Sequence, residues 1–324
     1  MRVSKFALAA LVAGVAITTA GAVTAQTVKV TPLGSHDGEF CRLDRAMVFE
    51  DPDGTRILYD AGRTVAGAGD PRLGRIDAVL LSHVHGDHLG DRHIPAANAG
   101  ECGRPDFSVA AAPTSNSVNI VVAKGAKFIV GAEMASFFSG KVKNAGGDPK
   151  LVQLARYGAS RKVGGVTIAT VPAVHSNGLN PAFIDNADHA AMLKDEGLTA
   201  YVGPPSGYVL SFSNGLVAYL SGDTGITAEQ ELVVRRHYGA NLAVINIGDV
   251  FTTGPAEAAY VINELVKPAS VIPSHANEVA TQGGRVVAGS RTDTFLKAVK
   301  VPAHLPLSGK TMEFDGKGKC VSGC

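Results

Sequence analysis

Five side chains of metal-ligand type occur within ten residues in the segment SHVHGDHLGD, at positions 82–91. Imidazole nitrogens and carboxylates are the ligands that borderline divalent metals such as zinc prefer. The segment directly follows the apolar run 78–81, which predicts a buried strand, and Gly86 and Gly90 allow the backbone beyond it to fold tightly. We therefore expect a loop whose side chains converge on a metal, and a polar loop without metal is the alternative. The candidate ligands are His83, His85, Asp87 and His88.

The same arrangement recurs four more times along the chain. Each time, a short apolar strand rich in Val and Ile is followed by a residue of metal-ligand type. Strands of this kind suit sheets that are covered on both faces, and the carboxyl ends of such strands gather at one edge, where open α/β sheets keep their sites. We therefore expect these residues to meet the first segment. They are His175 after strand 166–174, Asp223 after 216–220, Asp249 after 242–247 and His275 after 269–273.

Helices are predicted in the intervals between these strands. The clearest is GPAEAAYVINELVKP, residues 254–268, in which Pro255 suits the first helical position and Pro268 ends the helix. A second helix is expected over 132–142. Residues 27–60 instead contain short strands with a turn at DPDG, which predicts hairpins. The pattern as a whole indicates an α/β chain.

The composition of the 324 residues narrows the class of partner. The formal net charge is +1 and 18% of the residues are charged, so no basic field would draw nucleic acid to this protein. No repeat and no linker rich in Pro and Ser divides the sequence, which predicts one domain over 26–324. We therefore expect no nucleic-acid partner, and the number of subunits stays open.

The first 25 residues are typical of a secretory signal peptide. Arg2 and Lys5 supply positive charge, residues 6–17 are apolar, and VTA at 23–25 is a small-residue cleavage site. A retained membrane anchor over 6–25 is the alternative, because this stretch nearly reaches the length of a membrane span. Small and polar residues before the cleavage site favour removal. The mature protein is therefore expected to be periplasmic or secreted, without a membrane segment.

An exported location changes what is expected of the four cysteines, because disulfides form and persist in oxidising compartments. Four cysteines allow three pairings, and the sequence alone does not choose among them. Cys320 and Cys324 are close enough in the chain to form a clip, which would leave Cys41 to pair with Cys102. Four free thiols are the alternative.

The motif HVHGDH at 83–88 matches the His-x-His-x-Asp-His signature of the metallo-β-lactamase superfamily. The segments VPAVHSNG, YLSGDTG, NIGDVFTTGPAEAA and VIPSHANE resemble the UlaG-like branch of its metal-dependent hydrolases, the ascorbate-lactone hydrolase type. This resemblance covers about residues 30–280 and implies a four-layer αββα sandwich, two mixed β-sheets flanked by helices. It also implies two metal sites. His83, His85 and His175 would hold the first metal, Asp87, His88 and His275 the second, and Asp223 would bridge both.

The same resemblance implies a hydrolase with two divalent ions, for which zinc is favoured and manganese or iron are alternatives. Two such ions can share a hydroxide at neutral pH, because each lowers the pKa of bound water. The hydroxide would attack the carbonyl of a small ester, lactone or amide, of lactone or β-lactam type, while Asp87 and Asp223 orient it and carry its proton. The alternative function is an exported metal-dependent binding protein without turnover.

Three further residues are candidates for the pocket wall. Asp249 matches the family's IGD segment. His36 lies in the turn LGSHDG, where the UlaG-like branch often has a histidine near the metals, although that branch usually reads Gly-His and this sequence reads Gly-Ser-His. His189 lies in a flanking loop. Residues 177–206 are long enough to cover the metals as a lid or to pack as a structural flap, and both interpretations stay open.

Overall fold

Two β-sheets contain the long strands of the molecule. The computed structural model describes Met1, Val3 and residues 26–324, so nearly all of the expected signal peptide lies outside the described residues. The sheet strands, in chain order, are β1 (Val28–Pro32), β2 (Met47–Glu50), β3 (Arg56–Tyr59), β4 (Ala78–Leu80), β5 (Lys127–Val130), β6 (Val152–Leu154), β7 (Ser160–Val163), β8 (Val166–Pro172), β9 (Ser206–Ser211), β10 (Val217–Leu220), β11 (Leu242–Asn246), β12 (Ser270–Ser274), β13 (Met312–Phe314) and β14 (Cys320–Ser322).

Both sheets are mixed. The eight-stranded sheet has the order β6-β5-β4-β3-β2-β1-β13-β14, and the six-stranded sheet has the order β7-β8-β9-β10-β11-β12. In the eight-stranded sheet, the adjacent strands β3, β4, β5 and β6 are parallel to one another. In the six-stranded sheet, the adjacent strands β10, β11 and β12 are parallel to one another. All remaining pairs of neighbouring strands in the two sheets are antiparallel. Because β8 is antiparallel to β9 and β9 to β10, strands β8, β10, β11 and β12 run in one direction and their carboxyl ends share an edge.

The sheets pack face to face because successive strand residues point to opposite sides. On β2, Phe49 belongs to the apolar core between the sheets, whereas Val48 faces the outer layer. On β3, Ile57 likewise faces the core between the sheets, and Leu58 faces the outer layer. The inter-sheet core also takes side chains from the second sheet, such as Leu210 of β9. The core between the sheets therefore holds the two layers together.

Helices and helical turns occupy the intervals between strands. The α-helices are α1 (Gly86–Leu89), α2 (Asn116–Lys124), α3 (Met134–Asn144), α4 (Ala187–Asp195), α5 (Pro255–Tyr260) and α6 (Arg291–Ala298). Further segments are π-helical at Gln230–Arg235 and Val261–Val266 and 3₁₀-helical at Pro149–Leu151 and Pro181–Phe183. Two-residue ribbons pair Arg92–His93 with Val109–Ala110, Gly100–Glu101 with Arg104–Pro105, Gly178–Leu179 with Ala200–Tyr201, and Thr281–Gln282 with Arg285–Val286.

The helices form the outer layers. Residues of α2 and α3 pack on the outside of the eight-stranded sheet, and residues of α5 and α6 pack on the outside of the six-stranded sheet. Each of these four helices thus buries its apolar side against one sheet, which is the usual way for a layered domain to cover its sheets. The result is the expected αββα sandwich.

The predicted elements agree with the structure. The helix expected over 254–268 comprises α5 and the π-helical segment after it, and it ends before Pro268. The helix expected over 132–142 is α3, displaced by two residues at each end. The N-terminal hairpin strands are β1, β2 and β3, and the DPDG segment forms the turn between β2 and β3.

Two disulfides crosslink the chain, one joining Cys41 to Cys102 and the other joining Cys320 to Cys324. The expected pairing is thereby confirmed. Within residues 26–324, none of the helices combines the length and the apolar character that a bilayer span requires.

Candidate metal centre

The first group of potential ligands consists of His83, His85 and His175, whose ligand atoms all lie within 4.8 Å of one another. The first two follow β4 and the third follows β8. His85 Nδ1 lies 3.0 Å from His83 Nε2 and 3.3 Å from His175 Nε2. Three imidazole nitrogens that converge on one point in this way are suited to hold a divalent ion.

The second group consists of Asp87, His88 and His275, and its ligand atoms are equally close together. Asp87 and His88 lie on α1, a single helical turn, and the prediction that they lie on a loop was wrong. Gly90 explains the difference, because it adopts a φ of 82° and its N–H closes the turn on Gly86 O. A glycine in the left-handed region ends a helix readily, so this residue caps a helical turn.

Asp223 lies between the two groups. Its Oδ2 atom is 3.7 Å from His83 Nε2 and 3.8 Å from His175 Nε2 in the first group. The same atom is 3.3 Å from His88 Nε2 and 2.9 Å from His275 Nε2 in the second group. One carboxylate therefore faces nitrogen atoms of both groups.

A second carboxylate orients one of the ligands. His88 Nδ1 lies 2.8 Å from Asp60 Oδ2, and both oxygens of Asp60 accept hydrogen bonds from Ser82, one from its N–H and one from its hydroxyl. A carboxylate beside Nδ1 keeps the proton on that nitrogen and leaves the Nε2 lone pair free for a metal. Asp60 therefore sets both the tautomer and the direction of His88.

Buried atoms without partners provide a test of whether metal ions fit here. Among the residues that the structure describes, Asp223 Oδ1 and His88 Nε2 are buried and have no hydrogen-bond partner. Burying such atoms unpaired is costly, and a cation between them would satisfy both. Five imidazoles and two carboxylates also form a donor set that zinc accepts. The residues therefore fit bound divalent metal.

Arg45 is buried behind the second group, with 2% of its side chain exposed. Its Nε and Nη2 each lie 3.2 Å from Asp87 Oδ2, and Nη2 also donates to Asn277 Oδ1 at 2.6 Å. A guanidinium that donates two bonds to one carboxylate fixes the orientation of that carboxylate. Arg45 therefore restrains Asp87 through Oδ2, the same oxygen that lies 3.7 Å from His88 Nε2 and 3.5 Å from His275 Nε2.

The surroundings of the ligands set their protonation. Burial lowers the pKa of His83 well below its usual value, and the neighbouring His88 adds to this effect. Burial alone would raise the pKa of Asp223, but His275 and His88 hold that pKa well below its usual value. Metal binding requires neutral imidazole and ionised carboxylate. Neutral His83 and ionised Asp223 therefore suit metal binding. Burial alone would lower the pKa of His88, but Asp223, Asp87 and Asp60 raise that pKa well above its usual value, so His88 must give up a proton when a metal binds.

A cavity of about 720 Å³ opens onto the two groups and is lined in part by Asp87, His175 and Asp223. Val250 and Phe251, on the loop after β11, line the same cavity and are 85% and 69% exposed. Together with Leu43 they are the apolar part of a lining that otherwise consists mostly of polar and charged residues. We refer to this space as the metal cavity.

Of the three other pocket candidates, one lines the metal cavity and two lie outside its lining. Asp249 lines the metal cavity, and its Oδ1 accepts a hydrogen bond from the N–H of Val250 at 2.7 Å. His36 lies outside the lining, where its ring nitrogens face Ser35 Oγ and Gly100 O at 3.1 Å each. His189 is exposed on α4 and also lies outside the lining.

Residues 177–206 pack as a flap. Leu179 and Phe183 are 1% exposed within the apolar layer outside the eight-stranded sheet. Lys141 of α3 donates to Asp185 at 2.6 Å, which ties the segment to that helix. No described residue of the segment lines the metal cavity, so the segment does not cover the metal groups.

Sequence reasoning missed several residues of the site. Asp60 ends β3 just as the candidate ligands end other strands, so a systematic search for strand-end carboxylates would have found it. Arg45 carries no such signal, because it lies in the segment before β2 and meets Asp87 only through folding. Asn277, two residues beyond His275, was missed for the same reason.

Comparisons with known proteins agree with this geometry. A family model for the β-lactamase superfamily domain matches residues 55–276. A UPF0173 metal-dependent hydrolase of Cupriavidus metallidurans is 31% identical over 215 residues, which cover 63% of this chain and 58% of that protein. A UPF0173 metal-dependent hydrolase of Thermococcus onnurineus is 30% identical over 231 residues, which cover 71% of this chain and 80% of that protein. The match thus spans little more than half of the first relative's length.

The fold is also found among solved structures. Igni18, a metallo hydrolase from the hyperthermophilic archaeon Ignicoccus hospitalis, superposes with a TM-score of 0.58 at 22% sequence identity. The superposition covers 89% of this chain and 99% of Igni18. At this identity the likeness establishes the fold alone.

Proposed function

The chain belongs to the β-lactamase superfamily of metal-dependent hydrolases, and from that premise we propose that it binds two divalent ions and hydrolyses a small ester, lactone or amide outside the cytoplasm. The position of Asp223 carries the proposal. Its Oδ2 atom is within 4 Å of Nε2 atoms from both ligand groups, including His83 at 3.7 Å and His275 at 2.9 Å. A protein that only stored metal would have no need of a carboxylate shared by two sites.

The protein's own residues have separate tasks in this proposal. Asp223 keeps the two groups at a set spacing, Asp60 orients His88, and Arg45 orients Asp87. When bound, a pair of divalent ions would supply a water of lowered pKa and an electrophile for the carbonyl oxygen. Asp87 and Asp223 are the carboxylates placed to accept the proton of the attacking water and pass it to the leaving group.

Zinc is the proposed metal, because imidazole nitrogens make up most of the donor set and zinc accepts both imidazole and carboxylate. Lactone and β-lactam rings are the proposed substrate types. The metal cavity supports a small substrate, because a volume of about 720 Å³ is of the size that small ligands occupy. The lactone type follows the UlaG-like pattern of the sequence, and the β-lactam type follows the expected export.

Substitution of the shared carboxylate tests the proposed function. Asp223→Ala removes a ligand from both groups, so we expect less than one bound metal per chain and a fall in turnover of at least about 1,000-fold, as when a metal-generated nucleophile is lost. Bound metal is measured by elemental analysis, and turnover on a panel of chromogenic esters, lactones and β-lactams.

Asp195→Ala is the matched control, because Asp195 is exposed on α4 and does not line the metal cavity. It should keep both metals and full turnover. An Asp223→Ala protein that retains two metals and hydrolyses at the wild-type rate would contradict the proposal. Two bound metals in the wild type without turnover of any substrate in the panel would instead support the binding protein.

A further inference from the structure

A second cavity of about 630 Å³ lies beside the metal cavity and shares Arg42 and Leu43 with it as a common wall. Arg92 and Arg104 also line this second cavity. We propose that Arg42, Arg92 and Arg104 form an anion-binding subsite, called here the arginine subsite, for a carboxylate or phosphate group of the substrate. The inference rests on the proposed function, because it specifies which esters, lactones or amides the metal centre receives.

The charges of the second cavity are unbalanced. Three guanidinium groups face one carboxylate, Asp106, whose Oδ1 already accepts a hydrogen bond from the N–H of Ser108 at 2.9 Å. Arg42 and Arg104 have no ion-pair partner within residues 26–324, and both are exposed. A cavity lined by an excess of one sign of charge concentrates ligands of the opposite sign.

Arg92 forms only a weak ion pair, with the carboxylate of Asp91. Its Nε is 3.7 Å from Asp91 Oδ2, and 58% of its side chain is exposed. Asp91 is meanwhile engaged by Arg63, which donates to its two oxygens at 2.6 Å and 3.0 Å. The guanidinium of Arg92 therefore remains available to a ligand.

The backbone around these arginines is held in place. The disulfide between Cys41 and Cys102 joins the two chain segments next to Arg42 and Arg104. The N–H of Arg42 donates to Cys102 O at 3.3 Å, and Arg104 pairs with Glu101 in a short ribbon. Such anchoring reduces the backbone entropy that is lost when the arginines bind a ligand.

The shared wall determines what kind of substrate fits. Because Arg42 lines both cavities, a molecule whose carbonyl lies at the metal groups would place an attached anionic group among the arginines. Guanidinium groups form paired hydrogen bonds with carboxylates and phosphates, so either group would suit the subsite. The substrate class is therefore a small ester, lactone or amide that carries a carboxylate or phosphate away from the scissile bond.

Anion binding is measured first, because it does not depend on turnover. Isothermal calorimetry of the metal-loaded protein with glutarate and, separately, with inorganic phosphate should give binding that Arg42→Ala and Arg104→Ala each weaken about tenfold, as expected when a charge-assisted hydrogen bond is lost. The anion that binds more tightly identifies the source of the charge. Arg285→Ala is the control, because Arg285 is exposed and outside both cavities.

A kinetic comparison tests whether the arginine subsite binds the anionic group of the substrate. The ratio of KM for the p-nitrophenyl monoester of glutarate to KM for p-nitrophenyl butyrate should rise about tenfold in Arg104→Ala, with partial recovery in Arg104→Lys. Thermal unfolding of each variant checks that it is folded, and Arg92→Ala serves in place of any variant that is not. A wild-type ratio in the folded arginine variants, with unchanged binding of both anions, would overturn the inference.

The two proposals fail in different ways. Arginine-dependent binding of anions without hydrolysis of any ester would leave the subsite standing and remove the proposed hydrolase function. Hydrolysis of esters with an unchanged KM ratio and with anion binding that does not depend on the arginines would leave the hydrolase standing and overturn the subsite. Binding of anions that is lost with the metals and is unaffected by Arg42→Ala or Arg104→Ala would overturn it as well.

Discussion

Arg45 is a buried residue that contacts Asp87, one of the proposed metal ligands. It is almost completely buried, it donates two hydrogen bonds to Asp87 Oδ2, and it also donates to Asn277 Oδ1 and to the backbone oxygens of Arg42 and Asp44. A buried arginine needs such partners because an unpaired buried charge is strongly destabilising. The same bonds that satisfy Arg45 thus restrain a ligand of the second group.

We predict that Arg45→Ala weakens the second bound metal about 10- to 100-fold, because partners that orient a ligand typically contribute that much to metal affinity. Arg45→Lys should recover only part of the loss, since one ammonium group cannot reproduce the paired bonds of the guanidinium. Isothermal titration calorimetry with the metal measures the affinity for the second metal ion, and kcat/KM is measured in parallel. Arg161→Ala, an exposed arginine on β7, is the control. Unchanged affinity for the second metal in Arg45→Ala would contradict this role.

At the scale of secondary-structure elements, the strand ends supply the ligands and the flap supplies stability. Strands β8, β10, β11 and β12 point the same way, so the residues after them meet at one edge. The flap of residues 177–206 lies against α3 instead, with Phe183 buried in the outer apolar layer. Its contribution is therefore expected in the free energy of unfolding rather than in substrate binding.

We predict that Phe183→Ala lowers the free energy of unfolding by about 3–5 kcal/mol, the usual range for a buried phenylalanine, and leaves KM unaltered. Urea unfolding and steady-state kinetics measure the two quantities. Met192→Ala on the same segment is the control, because Met192 is 58% exposed and its truncation removes little buried surface. A large change in KM with little loss of stability in Phe183→Ala would mean that the segment acts as a lid after all.

At the scale of the whole molecule, the two disulfides differ in how much chain they close. Cys41 and Cys102 are 61 residues apart and join the segment before β2 to the ribbon beside the arginine subsite. Cys320 and Cys324 are four residues apart and join only the tail. A disulfide restricts the unfolded chain more when it closes a longer loop.

We predict that the double substitution Cys41→Ala with Cys102→Ala lowers the free energy of unfolding by about 2–4 kcal/mol. The matched control is Cys320→Ala with Cys324→Ala, which should have a clearly smaller effect because the closed loop is short. Chemical unfolding under non-reducing conditions measures both. Equal losses of stability in the two variants would contradict the argument from loop length.

Export is the remaining prediction at this scale. The charged, apolar and small-residue parts of the first 25 residues predict cleavage before Gln26 and release into the periplasm or the medium. Expression of the full chain in a bacterium, followed by fractionation and mass spectrometry, should find the mature protein outside the cytoplasm with residue 26 at its N-terminus. Material outside the cytoplasm that still begins at Met1, or protein confined to the cytoplasm, would contradict it.

The sequence by itself determined the identity of the candidate ligands and the class of the fold. His83, His175 and Asp223 were recognisable because each follows an apolar run, and ligand type, strand end and spacing are all local properties of the chain. The HVHGDH motif added the resemblance that implied the four-layer sandwich. Compartment and spacing favoured one of three possible disulfide pairings, and the structure shows that pairing.

Only the tertiary structure decided what surrounds those ligands. The contacts of Arg45 with Asp87 and of Asp60 with His88 join residues far apart in the chain, so they depend on strand order and register rather than on any local pattern. Packing decided that residues 177–206 form a flap, and the Gly90 cap turned the segment around Asp87 into a helix. The arginine subsite likewise exists because folding and a disulfide bring Arg42 beside Arg104. Hydrophobic periodicity specifies which residues are buried, whereas the partner of each buried or cavity-lining side chain is set by how the layers pack.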